Sequence, residues 1–97
     1  MYKRQSPIIE LNRAVAIAMA DGPLKGLALL DQTTLSQELS DYYLFHAARA
    51  DLLRRAGSMR KAQDAYTQAL KLCLNAKEQA FLHRRLIEVA EALELDD

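Results

Sequence analysis

Between Ala47 and Leu74 the chain spaces small and bulky residues in a way that two packed helices can use and a sheet cannot. Ala62, Ala65, Tyr66, Ala69, Leu70 and Cys73 recur three and four positions apart, while the run Ala47 to Ala56 carries its small residues along one side. Gly57-Ser58 interrupts the pattern, so the stretch reads as two helices joined by a tight turn. Where Ala50 faces Ala62 and Ala69, the backbones approach more closely than leucines would allow. Leu53, Tyr66 and Leu70 then fill the space beside them.

The same wording occurs earlier. Moving back by the 36 residues that separate Arg13 from Arg49 sets Ala14 on Ala50, Ile17 on Leu53, Gly26 on Ala62 and Leu30 on Tyr66. At these positions small stays small and large stays large. Moving forward sets Arg85 on Arg49, Leu86 on Ala50 and Val89 on Leu53, with no second helix after them, as a terminal capping helix requires. A small residue late in the first helix, a glycine at the turn, then Ala, Tyr and Ala-Leu in the second resembles the tetratricopeptide repeat. The expected fold is therefore all-α: antiparallel hairpins stacked as tetratricopeptide-like repeats, about five helices in one domain. Repeat one spans about 6–32, repeat two about 41–74 and the capping helix about 76–94.

Local signals place the helix ends. Ser6 caps the first helix with Pro7 at its first position, and Asp21-Gly22-Pro23 is a stop followed by a restart. The apolar run Ala14 to Ala20 implies a helix covered on more than one side at the middle of the bundle, or exposed as an interface. Leu27 and Leu30 face inward in the short second helix, and Gly26 lets its neighbour come close. Leu35 and Leu39 are spaced to seal the next connection against the core as a helical turn. Ser40 or Asp41 caps the third helix, and Asn75 caps the last one, with Glu78 placed for a capping box. Phe81, Leu82, Leu86, Val89, Ala90 and Leu93 form its inward stripe. The acidic end, through Asp96 and Asp97, opposes the helix dipole and favours fraying.

Several function classes are disfavoured. Thirteen basic and thirteen acidic residues leave no net charge, whereas a domain that holds nucleic acid alone usually carries a basic surplus. Met1-Tyr2-Lys3-Arg4 has no apolar segment behind it, so it does not read as a secretory signal, and the longest apolar run falls well short of the roughly 20 residues of a membrane span. The lone Cys73 suits a reducing cytoplasm and, at an inward position, reads as packing. His46 and His83 lie on different helices at no metal-ligand spacing, and no phosphate loop, serine elbow or paired-carboxylate motif is present. No catalytic residue, cofactor or metal is expected.

The arginines offer more. Arg13 and Arg49 stand where a tetratricopeptide first helix usually carries a large apolar residue, so each guanidinium is expected partly inside, paired with Glu10, Asp21, Asp51 or Asp64, or else held for a partner protein. Asp51, Arg54 and Arg55 fall on the face that lines the concave groove of such a stack; a solvated charged face is the plainer alternative.

Longer runs carry a family resemblance. Ser6-Pro7-Ile8-Ile9-Glu10-Leu11-Asn12-Arg13-Ala14-Val15-Ala16, Asp21-Gly22-Pro23 with Gly26-Leu27, His46-Ala47-Ala48-Arg49-Ala50-Asp51-Leu52-Leu53-Arg54-Arg55, and Ala80-Phe81-Leu82-His83-Arg84-Arg85-Leu86 resemble the C-terminal extension of one group of bacterial extracytoplasmic-function sigma factors. That resemblance implies a tetratricopeptide-like tail that modulates transcription initiation through contacts with the sigma-factor core domains or RNA polymerase. Nothing in the chain matches the two promoter-reading domains, so it is not expected to recognise a promoter alone. The alternative expectation is a free-standing interaction module or a homodimer that buries the apolar first helix against a copy of itself.

Overall fold

The computed structural model describes residues 6–95 of the 97-residue chain. Expectations for Met1 to Arg4 and for Asp96 and Asp97 lie outside the described residues. Six helices make up the described fold: α1 (Pro7–Asp21), α2 (Pro23–Leu30), α3 (Thr33–Glu38), α4 (Tyr43–Arg55), α5 (Met59–Leu72) and α6 (Ala76–Leu95). No strand occurs among the described residues.

The helices pack largely in chain order. The α4–α5 pairing is the most extensive, followed by α1–α2 and α5–α6, and α2 lies against α4 to join the two pairs. Neighbour-to-neighbour packing produces an elongated body of 53 × 30 × 20 Å with a radius of gyration of 13.8 Å. A compact domain of this length would have a radius of about 12.5 Å.

Turn chemistry explains most boundaries. The Ser6 hydroxyl accepts from the Ile8 N–H at 3.3 Å, with Pro7 at the first helical position. Gly22 (φ 104°) and Gly57 (φ 87°) adopt left-handed backbone at the α1–α2 and α4–α5 turns, which a side chain would strain. Asn75 Oδ1 accepts from the Glu78 N–H at 3.1 Å and opens α6. The start of α4 departs from expectation. Tyr42, in extended backbone, stands at the cap and no side chain caps the helix. Ser40 instead turns its carbonyl to the His46 ring, whose Nε2–H donates to it at 2.7 Å.

The count of about five helices is corrected to six, because Thr33–Glu38 forms a helix of its own. Its reason is the one the leucine spacing suggested: Leu35 and Leu39 are both buried and close the connection between α2 and α4.

Core positions follow the alanine pattern. Ala14, Ala50, Ala62 and Ala69 are fully inaccessible, and Leu30, Tyr66, Leu82, Val89 and Cys73 are the largest side chains buried almost completely. A Cβ on Gly26 would stand 2.5 Å from Ala18 Cβ, 2.8 Å from the Ala14 carbonyl oxygen and 3.1 Å from Leu52 Cδ1. Glycine at this point thus sets the closeness of both α1–α2 and α2–α4.

For the Ala14–Ala20 run the covered alternative gives way to the exposed one, and one inward assignment in α6 fails. Only Leu11, Ala14 and Ala18 of α1 are buried, while Ile8, Ile9 and Met19 are exposed, so the apolar run is not covered on several sides by this chain. The reason is its place in the order, since α1 lies mainly against α2 and no helix stands beyond it among the described residues. Phe81 is 43% exposed because it rims an open groove, described next.

Candidate functional site

An apolar concavity with convergent charged groups lies between α4 and α6 over α5. It is an open groove of about 330 Å³. Leu44, Ala47, Ala48, Phe81 and Leu82 provide its apolar surface, and Asp51, Arg55, Glu78 and Arg85 its charges, with Tyr66 at the base. Small residues on α4 create the space. Ala47 and Ala48 leave room where leucines would close α4 onto α6.

One wall is a hydrogen-bonded set spanning α4 and α5. Arg54 Nη2 donates to Asp51 Oδ1 at 2.8 Å and its Nε donates to the Tyr66 hydroxyl at 3.3 Å. That hydroxyl in turn donates to Asp51 Oδ1 at 3.5 Å, and Arg55 Nη2 meets Asp51 Oδ2 at 3.2 Å. One carboxylate therefore serves two guanidinium groups, the half-buried Arg54 and the exposed Arg55. Burial pushes the Tyr66 hydroxyl above its usual range, a shift that the hydrogen bond from Arg54 only partly opposes. Hydrogen bonds to Asp51 and Tyr66 hold the Arg54 guanidinium in its charged form.

The opposite wall comes from α6. Arg85 lies with its guanidinium carbon 5.1 Å from the centre of the Phe81 ring, four residues earlier on the same face. Its Nη1 donates to Glu88 Oε2 at 2.9 Å, while its Nε is buried with no hydrogen-bond partner among the described residues. The α5–α6 corner is fixed by Gln79 Nε2, which donates to the Cys73 carbonyl at 2.7 Å. The Cys73 thiol donates to the Asn75 carbonyl at 3.6 Å. Cys73 is buried at that corner, just past the end of α5.

The five arginine and aspartate positions singled out from sequence do not form one site. Asp51, Arg54 and Arg55 come together, with Asp51 and Arg55 lining the groove and Arg54 reaching the Met59–Val89 side of α4. Arg49 points the other way: its Nε donates to Asp31 Oδ1 at 2.8 Å, tying α4 to the end of α2. Asp31 was not among the four carboxylates expected, and the pairing became possible only because α2 ends against α4. Arg13 is exposed on α1 beside Glu10, Leu29, Gln32 and Leu35, which corrects the expectation that its guanidinium lies partly inside. The α6 wall was missed. Its sequence signal is the Phe81-Arg85 spacing, which puts a cation over a ring on one helix face.

Chemically, the groove offers an apolar surface edged by fixed guanidinium groups, suited to a side chain or helix from another polypeptide. His46 is engaged with Ser40 and His83 is exposed on α6. Among the described residues no three His, Cys, Asp or Glu side chains are grouped as a metal site would need, and no helix is long and apolar enough to cross a membrane.

No protein-family model matches the chain, and no solved structure matches it significantly. It is similar to an uncharacterized protein of Rhizobium meliloti (strain 1021), with 36% identity over 85 residues, or 88% of this chain. The chain spans 20% of the length of that protein.

Proposed function

We propose that the chain is a non-catalytic, tetratricopeptide-like regulatory domain that acts by binding protein, in the role of the C-terminal tail of an extracytoplasmic-function sigma factor. Its partners are the sigma-factor core domains or RNA polymerase in the bacterial cytoplasm, and its effect is to modulate transcription initiation. The observation that carries the binding role is the α4–α6 groove, where Leu44 and Phe81 lie open beside Arg55 and Arg85. Aromatic and arginine side chains are among the groups that most often dominate protein-binding energy. The transcription role rests on the sequence resemblance, which includes the Ala80 to Leu86 run that forms the groove's α6 wall.

The test is retention of separately purified sigma core domains and of core RNA polymerase on the immobilised chain. The reading expects retention at micromolar concentration and its loss in a Phe81→Ala, Arg55→Glu double variant whose helical circular dichroism is unchanged. Absence of retention of either partner would count against it.

A further inference from the structure

The groove between α4 and α6 has a direction. Both helices pair with α5 through short turns and so run the same way, and along each the groove-lining residues pass from apolar to a final cation. On α4 the sequence leads from Leu44 to Arg55; on α6 it leads from Phe81 to Arg85. Glu78 stands ahead of Phe81, exposed at the apolar end. Asp51 does not cancel the charge at the other end, because its two oxygens are engaged by Arg54 and Arg55 at 2.8 and 3.2 Å, and two guanidinium groups against one carboxylate leave a positive surplus. Arg85 is also incompletely paired. Its bond to Glu88 at 2.9 Å engages Nη1, and its Nε is the one buried side-chain nitrogen or oxygen without a hydrogen-bond partner among the described residues.

We propose that the groove selects a segment of a partner protein that carries a bulky apolar residue with an aspartate or glutamate within one helical turn of it, and that it takes this segment in one orientation. The apolar side chain lies over Leu44 and Phe81, which are 41% and 43% exposed. The carboxylate meets Arg85, whose guanidinium lies beside the Phe81 ring, and Arg55, whose side chain is 48% exposed. A buried donor without an acceptor is costly to leave open, and an acceptor brought by the partner relieves that cost. A carboxylate suits the place because it accepts from two N–H groups of one guanidinium at once. Glu78 repels the same carboxylate from the opposite end, which fixes the orientation. The proposal rests on the groove reading above and specifies the occupant's chemistry; it does not depend on the partner being a transcription protein.

The experiment selects from a random peptide library on the immobilised full chain, then titrates the enriched peptides, synthesised with a fluorescein label, by fluorescence anisotropy. Enriched peptides are expected to carry an acidic residue three or four positions from a bulky apolar one, to bind at least tenfold more weakly when that residue becomes its amide, and to weaken as salt is raised. Arg85→Gln is expected to weaken the acidic peptide at least tenfold and to leave its amide form within twofold. Arg85→Lys is expected not to restore binding, since an ammonium lacks the paired N–H edge. Arg55→Gln, at an exposed position, provides the same comparison should the Arg85 variants not fold. Enriched peptides with no acidic preference that lose binding in Phe81→Ala would overturn this proposal and leave the groove reading standing. Peptides that bind Phe81→Ala as well as the parent, or no enrichment at all, would overturn both.

Discussion

Ala14 and Ala50 occupy the same place in two helix pairs, and neither is accessible; Leu30 and Tyr66 match in the same way, and both are buried. Ile9 and Phe45 are related by the same interval, yet one is 53% exposed and the other 3%. The α1–α2 pair and the α4–α5 pair therefore share an internal packing register and differ in their neighbours. The second pair has α2 on one side and α6 on the other; among the described residues the first has α4, with α3 closing the connection. Inside a pair, closeness is decided by small residues that the sequence carries. Between pairs, burial depends on whether another helix stands next in the stack.

The largest effects that sharpen this comparison come from the matched pair at the centre. Tyr66→Ala is expected to cost about 4 kcal/mol and Leu30→Ala about 3 kcal/mol in chemical denaturation, from lost burial and the cavity left behind. Tyr66 has the larger effect because its side chain is larger and its hydroxyl also bonds Arg54 and Asp51. Next come the positions whose surroundings differ. Phe45→Ala should cost about 3 kcal/mol and Ile9→Ala less than about 0.5 kcal/mol. Equal costs would break the distinction between a covered and an open pair.

Glycine and alanine at matched places give a third test. Gly26→Ala forces a Cβ against the Ala14 carbonyl and is expected to destabilise by about 2 kcal/mol. Ala62→Gly should lose about 1 kcal/mol through helix propensity alone. A stabilised Gly26→Ala variant would mean that the first pair does not need its close crossing.

Titration separates the pairs as well, because Leu30 has no ionisable counterpart to the Tyr66 hydroxyl. That hydroxyl's folded pKa lies above the ordinary value of 10.0. The unfolded chain then loses its proton first, so this contribution is complete below about pH 10 and disappears as pH rises through the folded value. Thermal melts between pH 9 and 11 should show a smaller alkaline loss in Tyr66→Phe than in the parent, with a residue of loss from Tyr43, whose hydroxyl is also raised. A comparably small effect is expected of Arg49→Ala. The ion pair to Asp31 is substantially exposed, so its removal should lower stability by about 0.5 kcal/mol.

Much of the fold was legible because helix and pair packing are local. Ala62, Ala65, Tyr66 and Ala69 lie on one face of one helix, and their spacing alone names the buried side. The Ser6-Pro7 and Asn75 starts and the glycine turns follow from chemistry within a few residues. The helix Thr33–Glu38 was less legible, since six residues bury only one leucine within their bounds and another just past the end. The Arg49–Asp31 pair lay beyond the sequence because it joins side chains eighteen positions apart whose meeting depends on how α2 ends. The groove was half legible: Asp51 and Arg55 were on its face, but Phe81 read as a core residue because periodicity shows which residues share a stripe and not where the facing helix leaves a gap.

Residue-by-residue native-state hydrogen exchange tests the central claim most directly, that two similarly packed pairs differ only in what stands next to them. Amides of α4 and α5 should exchange through the slowest openings, close to global unfolding, and those of α1 through a separate opening of distinctly lower free energy. Equal protection across α1, α4 and α5 would contradict the account.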